Sequence, residues 1–279
     1  MERCQEIERS IIKKYRKTIW NPFIGGLKDY RMIEAGDRIA VCISGGKDSI
    51  LLAKCLQELQ RHGSEVPFEL EYLVMDPGYR PENRRQIEEN LRLLGLQAHF
   101  FDSPIFSVVE KQTDGSPCYL CARMRRGYLY KYARELGCNK IALGHHFDDV
   151  IETILMSMLY GAQMRTMMPK LHSTNFEGME LIRPLYLVHE KDIISWARYN
   201  KLEFLRCACA VTDSARTDVV SKRAEIKSLI ADLRKVNPQI DQNIFRSAEN
   251  VNLETILGYH KGIRTVTFLE DYKKREDDQ

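Results

Sequence analysis

No stretch of this 279-residue chain approaches the roughly 20 apolar residues of a membrane-spanning helix, which excludes a helical membrane protein. Its opening, MERCQEIERSIIKKYRK, holds no apolar leader core, so the expected location is the cytoplasm and no membrane partner is expected. A dominant charge is also lacking. The 42 basic residues exceed the 39 acidic ones by only three, so no single-sign field announces a nucleic-acid binder, and none forbids one. Internal repeats and low-complexity segments are absent, which argues against a repeat array. What remains is an ordinary globular composition, 44% apolar and 29% charged with 16 Gly and 9 Pro, sufficient for one large α/β domain with an extension. Against that background eight cysteines stand out: Cys4, Cys42, Cys55, Cys118, Cys121, Cys138, Cys207 and Cys209. In a reducing compartment, paired cysteines favour metal or redox chemistry over structural disulfides. Cys42 and Cys55 sit inside apolar runs and read as small core residues. Cys4 and Cys138 stand alone.

Short apolar strands alternate with helical spacing along most of the chain. Asp37–Ser44 reads as a buried strand, and Asp48–Gln60 as a helix on its apolar positions Leu52, Cys55, Leu56 and Leu59. The strand Phe68–Met75, the turn Asp76-Pro77-Gly78 and the helix Pro81–Leu94 follow, then a strand Gln97–Phe101. Ala122–Leu136 predicts a helix stopped by Gly137, Lys140–Gly144 a strand, Asp148–Tyr160 a helix, Leu181–Leu187 a strand and Glu190–Asn200 a helix. Such alternation predicts a parallel sheet covered on both faces. Beyond Thr212 the pattern turns polar and helical, without strand signals. The division expected is residues 1–30 as an N-terminal helical segment, 31–211 as the α/β domain with an inserted cysteine-bearing loop, and 212–279 as a C-terminal helical extension. In open parallel sheets ligands bind beyond the carboxyl ends of the strands. That rule singles out Ser44–Ser49, Asp76–Tyr79 and Gly144–Asp149.

The hexapeptide Ser44-Gly45-Gly46-Lys47-Asp48-Ser49 sits between the first strand and its helix. Two glycines let backbone approach a ligand closely, and the free N–H groups of the helix start favour an anion. Lys47 adds positive charge, and Ser44 and Ser49 add hydroxyls. The Walker pattern GxxxxGK[ST] does not fit, because Asp48 follows the lysine. This hexapeptide resembles the PP-loop of the ATP-pyrophosphatase superfamily, whose members cleave ATP to AMP and pyrophosphate while adenylating an acceptor. The resemblance implies an adenine nucleotide alpha hydrolase-like fold with flanking N- and C-terminal helices. It also implies that residues 44–49 hold the pyrophosphate end of ATP, with Lys47 catalytic.

Gly144-His145-His146-Phe147-Asp148-Asp149 opens a helix after the fourth strand and resembles the superfamily's GHxxDD element. Acidic groups at a helix start beside a triphosphate suit Mg²⁺. The likeness assigns Gly144 and His145 to nucleotide binding and Asp149, with Asp148 second, to nucleotide or Mg²⁺ binding, Asp149 also to catalysis. Asp76, at a strand end, is assigned to the nucleotide pocket.

Cys118-Tyr-Leu-Cys121 falls in a loop leading into a helix. CxxC spacing suits zinc or iron, a redox pair, or two buried thiols. Together with Ala122–Gly127, Lys140–Asp149, Met168–Leu171, Ile182-Arg-Pro184 and Glu190-Lys-Asp192, it resembles the TtcA-type tRNA 2-thiocytidine synthetases across roughly residues 30–210. That resemblance implies an ATP-dependent tRNA sulfurtransferase that adenylates C2 of a tRNA cytidine, position 32, and replaces its oxygen by sulfur. It further implies a [4Fe–4S] cluster held by Cys118, Cys121 and a later cysteine. Here the later site reads Arg206-Cys207-Ala208-Cys209, without the family's proline and with the cysteines one residue closer than in its PCxxC. Cys207, after Phe204-Leu-Arg, is preferred over Cys209 as third ligand. The implied partners are tRNA, a sulfur donor such as a cysteine desulfurase, and a second copy of the chain. Arg123, Arg125, Arg126, Lys131 and Arg134, extended by Arg165 and Lys170, are the candidate tRNA-facing cations. The competing readings are a 2-thiouridine synthetase, a tRNA-lysidine synthetase, and a metal- or nucleotide-binding module without catalysis.

Overall fold

The apolar run Arg38–Ile43 forms β1, flanked on both sides by parallel neighbours in a six-stranded sheet. The computed structural model describes residues 2–106, 117–205, 222–270 and 272, with the backbone alone for 117–122. The strands are β1, β2 (Glu69–Asp76), β3 (Ala98–Asp102), β4 (Lys140–Ala142), β5 (Lys170–His172) and β6 (Glu180–Ile182). Their order is β3-β2-β1-β4-β6-β5, parallel except for β5. Helices α1 (Arg3–Ile12) and α2 (Asn21–Asp29) precede β1, with a π-helical turn at Arg16–Trp20 between them. Next come α3 (Lys47–His62), α4 (Pro81–Leu93), α5 (Pro117–Glu135), α6 (Phe147–Gly161) and α7 (Glu190–Tyr199). The expected parallel α/β fold with flanking helices is the fold observed. Among the described residues no helix is long and apolar enough to cross a membrane.

The chain divides into two compact units, Met1–Val150 with Met167–Lys222, and Ile151–Thr166 with Arg223–Gln279. In the first, α3 is buried on every side from Ser49 to Leu59, including Lys54 at 0% exposure. Buried lysine needs partners, and Lys54 Nζ donates to Glu8 Oε1 at 2.5 Å, Gln57 Oε1 at 2.6 Å and the Leu94 carbonyl at 2.8 Å. Helix α1 is thereby tied onto α3, and Ile7, Ile11, Ile19 and Phe23 join the core. The N-terminal helices cover the sheet's first helix.

Four local expectations shift. Strand β6 ends at Ile182, because Pro184 has no N–H for a ladder and Tyr186 N already turns back to the Arg183 carbonyl at 3.0 Å. Strand β5, three residues at an antiparallel edge, is too short to carry a periodic signal. Helix α5 begins at Pro117, so Cys118 and Cys121 lie within its first turns rather than in a loop before it; proline suits the first helical position. The second unit, with α8 (Lys222–Val236) and α9 (Ile240–Ser247), also contains a hairpin of β7 (Gly258–Lys261) and β8 (Arg264–Thr267). The expectation of no strand beyond Thr212 is thus corrected. Its signal was the two-residue loop Gly262-Ile263 before the β-branched run Thr265-Val266-Thr267.

Candidate active site

At the carboxyl end of β1 the chain turns through Gly45, whose φ is +82°. A Cβ there would stand 2.7 Å from Cγ1 of Ile87 on α4 and 3.1 Å from Cδ1 of Leu205. The loop is fastened by its own hydroxyls: Ser49 Oγ accepts from Ser44 N at 3.2 Å and donates to the Gly46 carbonyl at 3.0 Å. Ser44 Oγ lies 3.2 Å from Ser49 Oγ. The two serines therefore shape the turn, and Gly46 is the N-cap of α3.

The second turn, after β4, is laid directly on that helix start. A Cβ on Gly144 would come within 3.0 Å of the Asp48 carbonyl carbon and Ser49 N, backbone atoms that cannot give way. His146 caps α6, accepting from Asp149 N at Nδ1 (3.4 Å), while Asp149 Oδ2 accepts from His146 N at 3.1 Å. This reciprocal box leaves the His146 proton on Nε2. That nitrogen lies 3.5 Å from Asp149 Oδ2, 3.8 Å from Asp48 Oδ1 and 4.0 Å from Glu190 Oε1.

Lys47 completes the cluster, its Nζ 3.1 Å from Asp48 Oδ2 and 3.0 Å from Glu190 Oε1. Burial works against its charge, yet Asp48 and Glu190 outweigh burial and hold the ammonium above its usual range. Burial raises the Asp48 carboxyl even against His146 and Lys47, with Asp149 adding to the rise. Asp48 Oδ1 is buried and accepts no hydrogen bond, which leaves an acceptor for a cation or for a donor on a ligand. Asp148 Oδ2 accepts from Glu190 N at 2.7 Å, joining the starts of α6 and α7.

A carboxyl whose folded pKa lies above its unfolded value near 3.8 stabilises the fold below that value and loses this contribution as pH rises through the folded pKa. Asp48→Asn is therefore expected to melt higher than the parent near pH 8, by about 2–4 °C for each kcal/mol regained. The advantage should shrink on acidification toward pH 4 while activity is lost at every pH. Thermal melts across that range check it; a lower melting temperature for the variant at pH 8 would contradict the burial argument.

On the other side of β1, Asp76 Oδ1 accepts from Gly78 N at 2.9 Å and Tyr79 N at 2.7 Å, and Oδ2 meets Arg84 at 2.9 Å. Asp76 shapes the turn that brings the Tyr79 hydroxyl 3.4 Å from the Ser44 carbonyl. Phe106 packs on Gly78, and the Arg125 guanidinium of α5 stands 5.8 Å from the Phe106 ring centre. The helix that opens with Cys118 and Cys121 is thus joined to the glycine turn through Arg125, Phe106 and Tyr79. Cys207 and Cys209 lie outside the described residues. The chain leading to them passes the loop, since Leu205 N donates to the Gly45 carbonyl at 3.3 Å.

Among the candidate cations, Arg123 and Arg126 are exposed on α5. Lys131 pairs with Glu135 at 3.9 Å, Lys170 donates to the Arg31 carbonyl at 2.9 Å, and Arg165 to Gln163 at 3.3 Å. Two side chains at the site escaped residue-by-residue reading. Glu190 lies 143 residues from the lysine it holds, and its signals, the start of a helix and the run Glu190-Lys-Asp192 that carries part of the family likeness, named no role for it. Arg183, just past β6, donates from Nε to His145 Nδ1 at 3.3 Å and is buried.

A glycine turn at a helix start, beneath a lysine and a ring of carboxylates at the carboxyl edge of a parallel sheet, defines a PP-loop protein. The PP-loop domain family matches residues 25–231, and the chain belongs to it. Within that class it belongs to the tRNA-cytidine(32) 2-sulfurtransferase family. It is 38% identical to the protein of that name from Geotalea uraniireducens over 83% of this chain and 90% of the relative. It is 35% identical to that of Coxiella burnetii over 91% of this chain and 94% of the relative. In fold it is similar to the U34-tRNA thiolase NcsA from Methanococcus maripaludis, solved with its [4Fe–4S] cluster, at a TM-score of 0.65 and 22% identity, covering 86% of this chain and 80% of that one.

Proposed function

We propose that this chain is an ATP-dependent tRNA sulfurtransferase that thiolates C2 of a tRNA cytidine, position 32. The observation that carries the reading is the packing chain from α5, which bears Cys118 and Cys121, to the Gly45 turn, with Leu205 two residues before Cys207 bonded to that same turn. Sulfur chemistry and phosphate chemistry would then share one edge of the sheet.

A pyrimidine carbonyl oxygen leaves poorly until it is esterified. The C2 oxygen attacks the α-phosphorus of ATP and the bond to pyrophosphate breaks. Sulfide then adds to C2, the C2–O bond breaks with its electron pair going to AMP, and the sulfide proton is lost to solvent. Lys47 and the amides of residues 45–49 hold the departing pyrophosphate, where fixed positive charge lowers the barrier most. Asp149 and Asp48, the latter with its unbonded oxygen, are the residues that would hold Mg²⁺. Glu190 and Asp48 keep Lys47 charged and aimed into the turn.

Cys118 and Cys121 are three residues apart, the CxxC spacing that a [4Fe–4S] cluster takes from a protein. Cys118, Cys121 and Cys207 would hold it, and with three protein ligands it would keep one iron open to bind and deliver an external sulfide. Exposed Arg123 and Arg126 on the same helix would meet tRNA phosphates, and a cysteine desulfurase would furnish the sulfur as persulfide, which an external thiol reductant would bring to sulfide.

Mass spectrometry of tRNA nucleosides tests the reading. A strain lacking this gene should lose 2-thiocytidine and regain it with the wild-type chain. Unchanged 2-thiocytidine, or loss of lysidine or of 2-thiouridine instead, would overturn it.

A further inference from the structure

Glu58 on α3 is 6% exposed, yet among the described residues its carboxylate accepts no hydrogen bond and forms no ion pair. Acids so deeply placed are rarely left unpaired, because desolvating a lone charge is costly. The cations three and four residues away on the helix are already spent. Lys54 meets Glu8 Oε1 at 2.5 Å, and Arg61 meets the same oxygen at 3.3 Å. Glu58 instead lines a cavity of about 780 Å³, within the range of about 300–1,000 Å³ usual for small-ligand sites. It also borders a second cavity toward Arg9 and Arg92, which offers no Phe, Trp or Tyr ring.

The first cavity lies at the amino edge of the sheet, lined by Ala35 just before β1, Val66 just before β2 and His62 at the end of α3. The glycine turn is at the opposite edge, and the helix rises ~16 Å from Lys47 to Glu58. Ile24, Leu27 and Leu59 give the cavity apolar walls, and Trp20 adds a half-buried indole. The π-helical turn brings both its ends, Arg16 and Trp20, onto the cavity, and such turns are frequent at functional sites. The charges around it are unevenly matched. Glu34 and Glu65 are taken by Lys170 at 3.9 Å and Lys28 at 2.8 Å. Lys13, Arg16 and Arg31, all exposed, have no acid partner among the described residues. One unpaired carboxylate and three unpaired cations thus border the same space.

A fitting occupant brings donors for Glu58, a flat or apolar body for the walls, and an anion for the rim. A simple amine supplies the first and is repelled by the three cations. A guanine nucleotide supplies all three. Its N1–H and N2 amino group lie on one edge and match the two oxygens of a carboxylate, its ring suits an indole, and its phosphate suits Arg and Lys. Adenine and cytosine place a ring-nitrogen acceptor beside their amino group, and a carboxylate repels it. We propose that the cavity bordered by α1, α2 and the end of α3 binds a free guanine nucleotide. Glu58 reads the base, Trp20 stacks on it, and Arg16, with Lys13 and Arg31, takes the phosphate. The site is distinct from the glycine turn and does not depend on the adenylation reading.

The test is titration of the full-length protein with GMP, AMP and xanthosine monophosphate, read by the fluorescence of Trp20. The other tryptophan, Trp196, is fully buried and distant from any such quenching. GMP should quench the signal and bind at least about 10-fold more tightly than AMP, the discrimination of one charge-assisted contact. Glu58→Gln keeps the shape of the side chain and turns one acceptor into a donor. It should lose GMP affinity about 10-fold and come to prefer xanthosine monophosphate, whose C2 oxygen accepts where guanine donates. Arg16→Ala, a change at an exposed position, should weaken GMP and leave guanosine unchanged, which reads the site even if Glu58→Gln fails to fold. Excess pyrophosphate or tRNA should not displace GMP. No GMP binding at millimolar concentration, AMP held as tightly as GMP, or a folded Glu58→Gln that loses GMP without gaining xanthosine monophosphate would overturn the assignment. So would displacement by spermidine, by pyrophosphate or by tRNA, which would make the occupant an amine, the binding place the glycine turn, or the ligand a guanosine of the RNA.

Discussion

Gly45→Ala is expected to abolish ATP-dependent activity and to destabilise the fold by about 2–5 kcal/mol. Two costs add. An alanine at φ +82° occupies the left-handed region at about 1–2 kcal/mol. Its methyl would also press to 2.7 Å of Cγ1 and 2.9 Å of Cδ1 of Ile87, which is itself 1% exposed and has no free volume to enter. Overpacking of this kind costs about 1–3 kcal/mol. The relief open to the chain is to shift the loop away from α4, and that moves the amides that would receive phosphate. Gly46→Ala is the control: its φ is −83° and the nearest atom to its added methyl is Ser44 Oγ at 3.7 Å. The two variants should differ by several degrees in melting temperature, with ATP binding lost in the first. Equal melting temperatures and full ATP affinity in Gly45→Ala would show that the loop can flex where the packing says it cannot.

Cys118→Ala and Cys121→Ala should each reduce thiolation by at least about 100-fold while leaving ATP affinity within a few-fold of the parent. A structural iron–sulfur centre held by three thiolates does not survive the loss of one. The phosphate turn, by contrast, is fastened directly by Ser44, Ser49 and Leu205, and among the described residues α5 reaches it only at a distance, through Phe106 and Tyr79. Anaerobically purified wild type should be brown and the variants colourless, with AMP binding retained. Cys207→Ala should behave like them and Cys209→Ala like wild type. Full thiolation by Cys118→Ala would remove the cluster from the reaction, and a null Cys209→Ala beside an active Cys207→Ala would exchange the third ligand.

Much of this was legible in the linear order of residues, for a definite reason. The hexapeptide Ser44–Ser49 and the run Gly144–Asp149 are contiguous, and each lies where a strand of period two gives way to a helix. Backbone turns, helix caps and N-terminal amides are set by neighbours in sequence, so a local pattern carries their chemistry. The same holds for Cys118 and Cys121, whose spacing alone marks a shared ligand, although their helix starts earlier than the spacing suggested because Pro117 opens it.

What is held across the sheet was not legible. Gly45 must be glycine partly because Ile87 and Leu205 crowd it, and Gly144 because the first residues of α3 lie against it. Nothing in either glycine's own neighbourhood names those contacts. Lys47 is charged and aimed by Glu190, and Arg183 is held by His145 and the Met168 carbonyl, pairs that meet only because β1, β4, β6 and β5 stand side by side. Sequence alone determined the chemical groups and the local turns that present them, since those depend on residue type and near neighbours. Tertiary structure decided which groups share one cleft and which glycines cannot change, since those follow from packing between segments far apart in the chain.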